Sequence, residues 1–90
     1  MFVALIAHDK PGALGVRQEN RPAHLEYLKS TDLVAQAGPL LDADGGMIGS
    51  LIILEVDNMA QAEAWAENDP YAKAGLFQSV TLTHWNRVIG

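Results

Sequence analysis

The chain contains no cysteine, so it can form no disulfide and offers no thiolate as a nucleophile or metal ligand. Such a composition suits a reducing cytoplasm, and that is where the sequence is expected to work. Basic residues are scarce too: six lysines and arginines against 11 acidic residues leave a net charge of −5. Those six are scattered, whereas a phosphate backbone needs clustered cations, so nucleic acid is not an expected partner. Long apolar runs are also missing. The opening stretch Phe2 to Ala7 falls far short of the ~20 residues that span a bilayer. It also lacks the basic start and small-residue cleavage site of a signal peptide. It reads as a buried first strand, and no membrane association is expected.

What remains is an ordinary globular composition, 49% hydrophobic and 19% charged, in a length that suits one domain over residues 1–90. Strand one should cover residues 2–8 and stop at Asp9-Lys10-Pro11-Gly12. Residues 13–30 read as helical. Proline within a helix removes a hydrogen bond and costs ~3 kcal/mol, so Pro22 either kinks that helix or opens a second one. Leu33 to Leu40 reads as strand two, residues 42–46 as a turn, and Ser50 to Val56 as strand three. Asn58 followed by Gln61 is a capping-box pattern for a second helix. Pro70 disfavours helix at Asp69 and should end it near Asn68. After a short turn at residues 71–74 and Gly75, residues 76–88 read as a long last strand. The order β-α-β-β-α-β is the ferredoxin-like α+β pattern, an antiparallel sheet with both helices on one face.

The other face of such a sheet should be polar if it meets water. Strands one and three are instead apolar on both faces: Phe2, Ala4 and Ile6 oppose Val3, Leu5 and Ala7, and Leu51 and Ile53 oppose Ile52 and Leu54. Soluble monomers avoid apolar patches of that extent, so the sequence predicts a homodimer that covers the open face. The competing cover is the stretch from 41 to 48, which has only Leu41, Met47 and Ile48 to contribute.

Two short motifs carry the chemistry on offer, Arg21-Pro22-Ala23-His24-Leu25 and Asp69-Pro70-Tyr71. On a helical wheel Leu14, Leu25 and Leu28 share a side. Arg21 falls inside that stripe, with Arg17 and His24 on its flank. A charge inside a core-facing stripe breaks a local rule, and such breaks concentrate at functional sites. His24 is the best acid–base candidate, because histidine alone titrates near neutrality without perturbation. Asp69, on the same sheet face, is placed to orient it. Each residue also has a plainer account. His24 fits a half-buried helix histidine bonded to a backbone carbonyl, and Asp69 fits the N-cap of a proline-started turn. His8-Asp9 could line the same cleft, next to the start of the first helix, but fits a polar strand end better, and His84 reads as a surface or interface residue. Ser50 and Ser79 lack a nucleophile-elbow context. No spacing of His, Asp and Glu resembles a metal site.

In its ordered motifs the chain resembles the YciI-like (YCII-related) family. The matching pieces are the first strand with Asp9-Lys10, Arg21-Pro22-Ala23-His24-Leu25, Ala37-Gly38-Pro39-Leu40, Gly49-Ser50, Ala62-x-x-Trp65-Ala66 and Asn68-Asp69-Pro70-Tyr71 before Ala74-Gly75. The resemblance implies a dimeric α+β barrel and an active site on a histidine and an aspartate, here His24 and Asp69, lined by Arg21 and Ser50. A family relative removes chloride from a hydroxyquinone ring, which implies acid–base chemistry with no metal or other cofactor. The segment between His24 and Gly38 is compact here, so the mouth of the site should differ from that of longer relatives. Two readings follow. One is a small enzyme of lyase, dehydrochlorinase or isomerase type, in which His24 and Asp69 move a proton and Arg21 steadies an oxyanion. The other is a metabolite-binding or regulatory module that uses Arg17, Arg21 and His24 as ligands without turnover.

Overall fold

The computed structural model describes residues Met1–Gly90. The elements are β1 (Phe2–Asp9), α1 (Leu14–Ser30), β2 (Val34–Leu41), β3 (Met47–Glu55), α2 (Met59–Glu67), α3 (Pro70–Lys73) and β4 (Phe77–Trp85). The four strands form one sheet in the order β2-β3-β1-β4, and every pairing is antiparallel. This is the ferredoxin-like α+β arrangement.

The core lies on the helix side of the sheet. Val3, Leu5 and Ala7 of β1 face it, and Leu54, Ile52 and Ser50 stand opposite them on β3. Val56, Ala62 and Trp65 complete the buried cluster. Removing such side chains from water contributes roughly 1.5–3 kcal/mol for each large one. Two polar bonds tie α2 to the end of α1: the Tyr27 hydroxyl donates to the Trp65 carbonyl at 2.8 Å, and the Trp65 indole donates to Thr31 Oγ1 at 3.1 Å. At the start of α2, Asn58 Oδ1 accepts the Gln61 N–H at 2.9 Å, while Gln61 Oε1 accepts the Asp57 N–H at 2.8 Å. That is a capping box whose return bond reaches one residue further out.

The structure differs from the sequence expectations at four points. Helix α1 runs unbroken from Leu14 to Ser30 with Pro22 inside it. Pro22 and Gln18, the residue whose carbonyl the ring leaves without its N–H, are both exposed, so water can take the lost bond. Strand β3 begins at Met47, three residues before the expected Ser50. The stretch from 41 to 48 is therefore used within the sheet: Leu41 closes β2, Met47 opens β3, and Asp42 to Gly46 form a tight turn held by the Asp42 carboxylate. It does not cover the open face. Strand β4 ends at Trp85 rather than continuing to Val88. The chain then leaves the sheet, with the Arg87 guanidinium 4.5 Å from the Phe2 ring centroid.

The fourth difference concerns α1. Arg21, placed by the wheel inside the core-facing stripe, is exposed, whereas Arg17, placed on its flank, is 2% exposed. Leu14 and Leu25, which set the stripe's direction, are 43% and 38% exposed. The helix is rolled so that Arg17, His24 and Tyr27 turn inward. Leucine spacing was a poor guide because Leu25 lines a cavity rather than the core.

Candidate active site

The site begins where α2 ends. Asp69 has extended backbone angles and caps α3, its Oδ1 accepting the Tyr71 N–H at 3.0 Å, with Pro70 as the first helical residue. Proline suits that position because its φ is preset and its missing N–H would have had no helical partner. Gly75, at φ +71°, ends the turn and sends the chain into β4.

Asp69 Oδ1 also lies 2.7 Å from His24 Nδ1, with both side chains buried. The two accounts of Asp69 therefore hold together: one oxygen caps α3 and receives the imidazole. A carboxylate oxygen accepts, so Nδ1 carries the hydrogen, which leaves Nε2 as the nitrogen available to a ligand. The second oxygen, Oδ2, is buried without a partner.

One face of the His24 ring is occupied by Tyr71, at a centroid separation of 3.8 Å and an interplanar angle of 12°. Phe77 meets the Tyr71 ring edge to face at 6.0 Å and 86°. Phe77 faces this way because of a bulge. His8 pairs with Ser79 but Asp9 pairs with Phe77, leaving Gln78 as the extra residue and turning Phe77 to the helix side.

Seven residues before His24, Arg17 makes a second buried cluster. Its Nε donates to Asp9 Oδ2 at 2.7 Å, and its Nη2 donates to Asp9 Oδ1 and to Ser50 Oγ, each at 2.9 Å. Its guanidinium carbon is 4.6 Å from the Tyr71 ring centroid. Burial acts to lower the Arg17 pKa, but the bonds and charge of Asp9, helped by Tyr71, outweigh it and the net shift is upward. The Tyr71 hydroxyl moves upward as well. Burial raises it, and the opposing charges of Arg17 and Arg21 only reduce the shift.

These groups border a cavity of about 130 Å³ between α1 and the β2 side of the sheet. Its polar wall carries Arg17, Arg21, His24, Ser50 and Tyr71. Its apolar wall carries Leu25, Leu28, Ala37, Pro39, Met47 and Ile52. No carboxylate lines it, although the chain has 11. All five residues singled out in the sequence, His24, Asp69, Arg17, Arg21 and Ser50, thus meet at one place, with Asp69 behind His24 rather than on the wall.

Two further residues belong here. Asp9, for which the sequence favours a strand end over a place in the cleft, is the bidentate partner of Arg17. Tyr71, part of a turn in the sequence, stacks on His24. The usable signal for Asp9 was its parity with Val3, Leu5 and Ala7, which puts it on the helix side of β1. No three His, Asp or Glu side chains converge to hold a metal ion, and no helix is long and apolar enough to cross a membrane.

An antiparallel four-stranded sheet in this order, with helices on one side and a cleft beneath α1, defines a ferredoxin-like protein of the dimeric α+β barrel type. An antibiotic biosynthesis monooxygenase shares that fold, with a TM-score of 0.57 over 96% of this chain and 98% of its own, at 13% identity. The chain belongs to the YCII-related family, whose domain matches residues 1–86. Protein YciI from Escherichia coli is 33% identical over 98% of this chain and 99% of its own length. An uncharacterized protein from Haemophilus influenzae is 31% identical over the same shares. Among solved structures, a 5-chloro-2-hydroxyhydroquinone dehydrochlorinase from Burkholderia phenoliruptrix, in complex with 2,5-dihydroxybenzoquinone, superposes with a TM-score of 0.89. It is 36% identical and covers 96% of this chain and 94% of its own.

Proposed function

We propose that the protein is a small enzyme that uses His24 and Asp69 for acid–base chemistry on a small anionic or phenolic molecule. The observation that carries this reading is the 2.7 Å bond from His24 Nδ1 to Asp69 beside a cavity walled by two arginines and no carboxylate. Asp69 holds the ring in the tautomer that frees Nε2 to take a proton from a hydroxyl or an activated carbon, or to return one. Arginine charge already in place stabilises the oxyanion that forms. The apolar wall and the size of the cavity suit a single ring. The Burkholderia dehydrochlorinase supports this class of reaction, an elimination or isomerisation of lyase type. A binding module that uses the same cleft without turnover is the second outcome to be tested.

The test is a thermal-shift screen of small phenols, quinones and carboxylates on the wild-type chain and His24→Ala. A compound that stabilises the first and not the second, and that the wild-type chain converts, is the expected result. A stabilising compound that is left unconverted makes the chain a binding module. Equal responses of the two proteins remove His24 from the site.

The same proposal includes a homodimer through the open sheet face. Ile6, Leu51 and Trp85 lie there, each about 40% exposed, and the C-terminal residues reach only the end of that face that carries Phe2, Ile53 and Trp85. Light scattering should give twice the chain mass at micromolar concentration, and Leu51→Glu should halve it. A wild-type monomer would end this part of the proposal.

A further inference from the structure

The cavity wall holds a hydrogen-bond donor with no role in the chemistry above. Tyr71 is 1% exposed and yet lines the cavity. Its hydroxyl donates to no group of the chain, the Arg17 guanidinium beside it being itself a donor, and it is not a sealed polar atom, since Asp69 Oδ2 is the one buried side-chain oxygen left without a partner. A hydroxyl with an uncommitted hydrogen and an unsealed oxygen, at the end of an otherwise enclosed side chain, opens into the space that side chain borders. Tyr27 is the contrast: its hydroxyl is committed to the Trp65 carbonyl.

The ring that carries this hydroxyl is held in place. It stacks on His24, meets the Phe77 edge and lies against Arg17. Burial keeps the phenol above its ordinary pKa of 10, so it remains an O–H donor at neutral pH. Arg17 is arranged in the same way. Nε and Nη2 are taken by Asp9 and Ser50, while Nη1 reaches neither of them and is likewise not sealed, the Tyr71 side chain lying beside the guanidinium. Two fixed donors therefore open onto the cavity beside the imidazole. A pre-oriented pair of donors is the arrangement that stabilises developing negative charge on oxygen.

We propose that Tyr71 Oη and Arg17 Nη1 form the oxyanion site of this cleft, with Tyr71 a catalytic residue whose hydroxyl donates to the anionic oxygen of the ligand while His24 exchanges the proton. This assignment rests on the reading of the cleft as an acid–base site, and it reserves a different place for Arg21, at the mouth. The ligand it selects carries a ring-borne oxyanion beside the position where the proton is moved.

The probe is 2,5-dihydroxybenzoquinone, added to protein labelled with ¹³C at the tyrosine ζ carbon. The chain has two tyrosines, so the spectrum holds its own control. The Tyr71 resonance should move on saturation and the Tyr27 resonance should stay. Tyr71→Phe, which keeps the stacked ring, should weaken probe binding about tenfold or more. Probe binding that leaves the Tyr71 resonance in place, or that Tyr71→Phe does not weaken, overturns the assignment and leaves the acid–base reading intact. Failure of the wild-type chain to bind the probe overturns both. If Tyr71→Phe does not fold, the wild-type resonances still decide.

Discussion

Two buried polar pairs sit one above the other on α1, and they are built differently. In the Arg17–Asp9 pair both carboxylate oxygens accept from the guanidinium, and the spare capacity of Nη2 goes to Ser50. In the His24–Asp69 pair one oxygen accepts two donors, from His24 and the Tyr71 backbone, and the other accepts none. The first pair is closed on the carboxylate side and fixes geometry. The second keeps an unpaired buried oxygen and a free imidazole nitrogen, which a purely structural pair would not retain, because an unpaired buried polar atom costs free energy. Breaks in local rules of this kind collect where function requires them.

The contrast predicts that the two pairs respond differently to substitution. Arg17→Ala removes three hydrogen bonds and strands the Asp9 carboxylate, so it should cost about 3–5 kcal/mol of stability in urea unfolding. Asp69→Ala loses the cap of α3 and the partner of His24 and should cost about 2 kcal/mol. Asp69→Asn can still cap, so it should fold with a loss below about 1 kcal/mol while ligand-dependent stabilisation disappears. A loss as large as that of Arg17→Ala would show that the second pair is structural too. Arg21→Ala, at an exposed position with no ion-pair partner, should stay within about 0.5 kcal/mol of wild type. It should weaken only the binding of an anionic ligand.

The same contrast explains what could be read from the sequence. The second pair was visible as residues in motifs because prolines frame it: Pro22 lies two residues before His24, and Pro70 directly follows Asp69. Element order could be read as well, since strand alternation, the Asn58 cap and Gly75 all act locally. The first pair depends on relations that no local pattern contains. Arg17 lies inward because α1 is rolled about its axis by contacts with the sheet and α3, so that of the three leucines of the stripe only Leu28 packs on the core, while Leu14 and Leu25 border solvent and the cavity. Tyr71 and Phe77 meet through a bulge, which shifts register by one residue and leaves no mark in the alternation of β4.

The two walls of the cleft share α1 but otherwise draw on different parts of the fold. Donors come from α1, α3 and the inner part of β3, where most of the side chains are buried and bonded to one another. The apolar side comes from Leu25 and Leu28 of α1, Met47 and Ile52 of β3, and β2, whose Ala37, Gly38 and Pro39 lie exposed on the edge strand. Changes at those three positions alter the shape of the space next to His24 without disturbing a core contact or a buried bond. Under the proposed function, a lineage carrying this fold can therefore retune which ring it accepts by drift along one edge strand, while the His24–Asp69 pair stays under constraint from the bonds around it. On that proposal, selectivity and reactivity are free to evolve at different speeds within 90 residues.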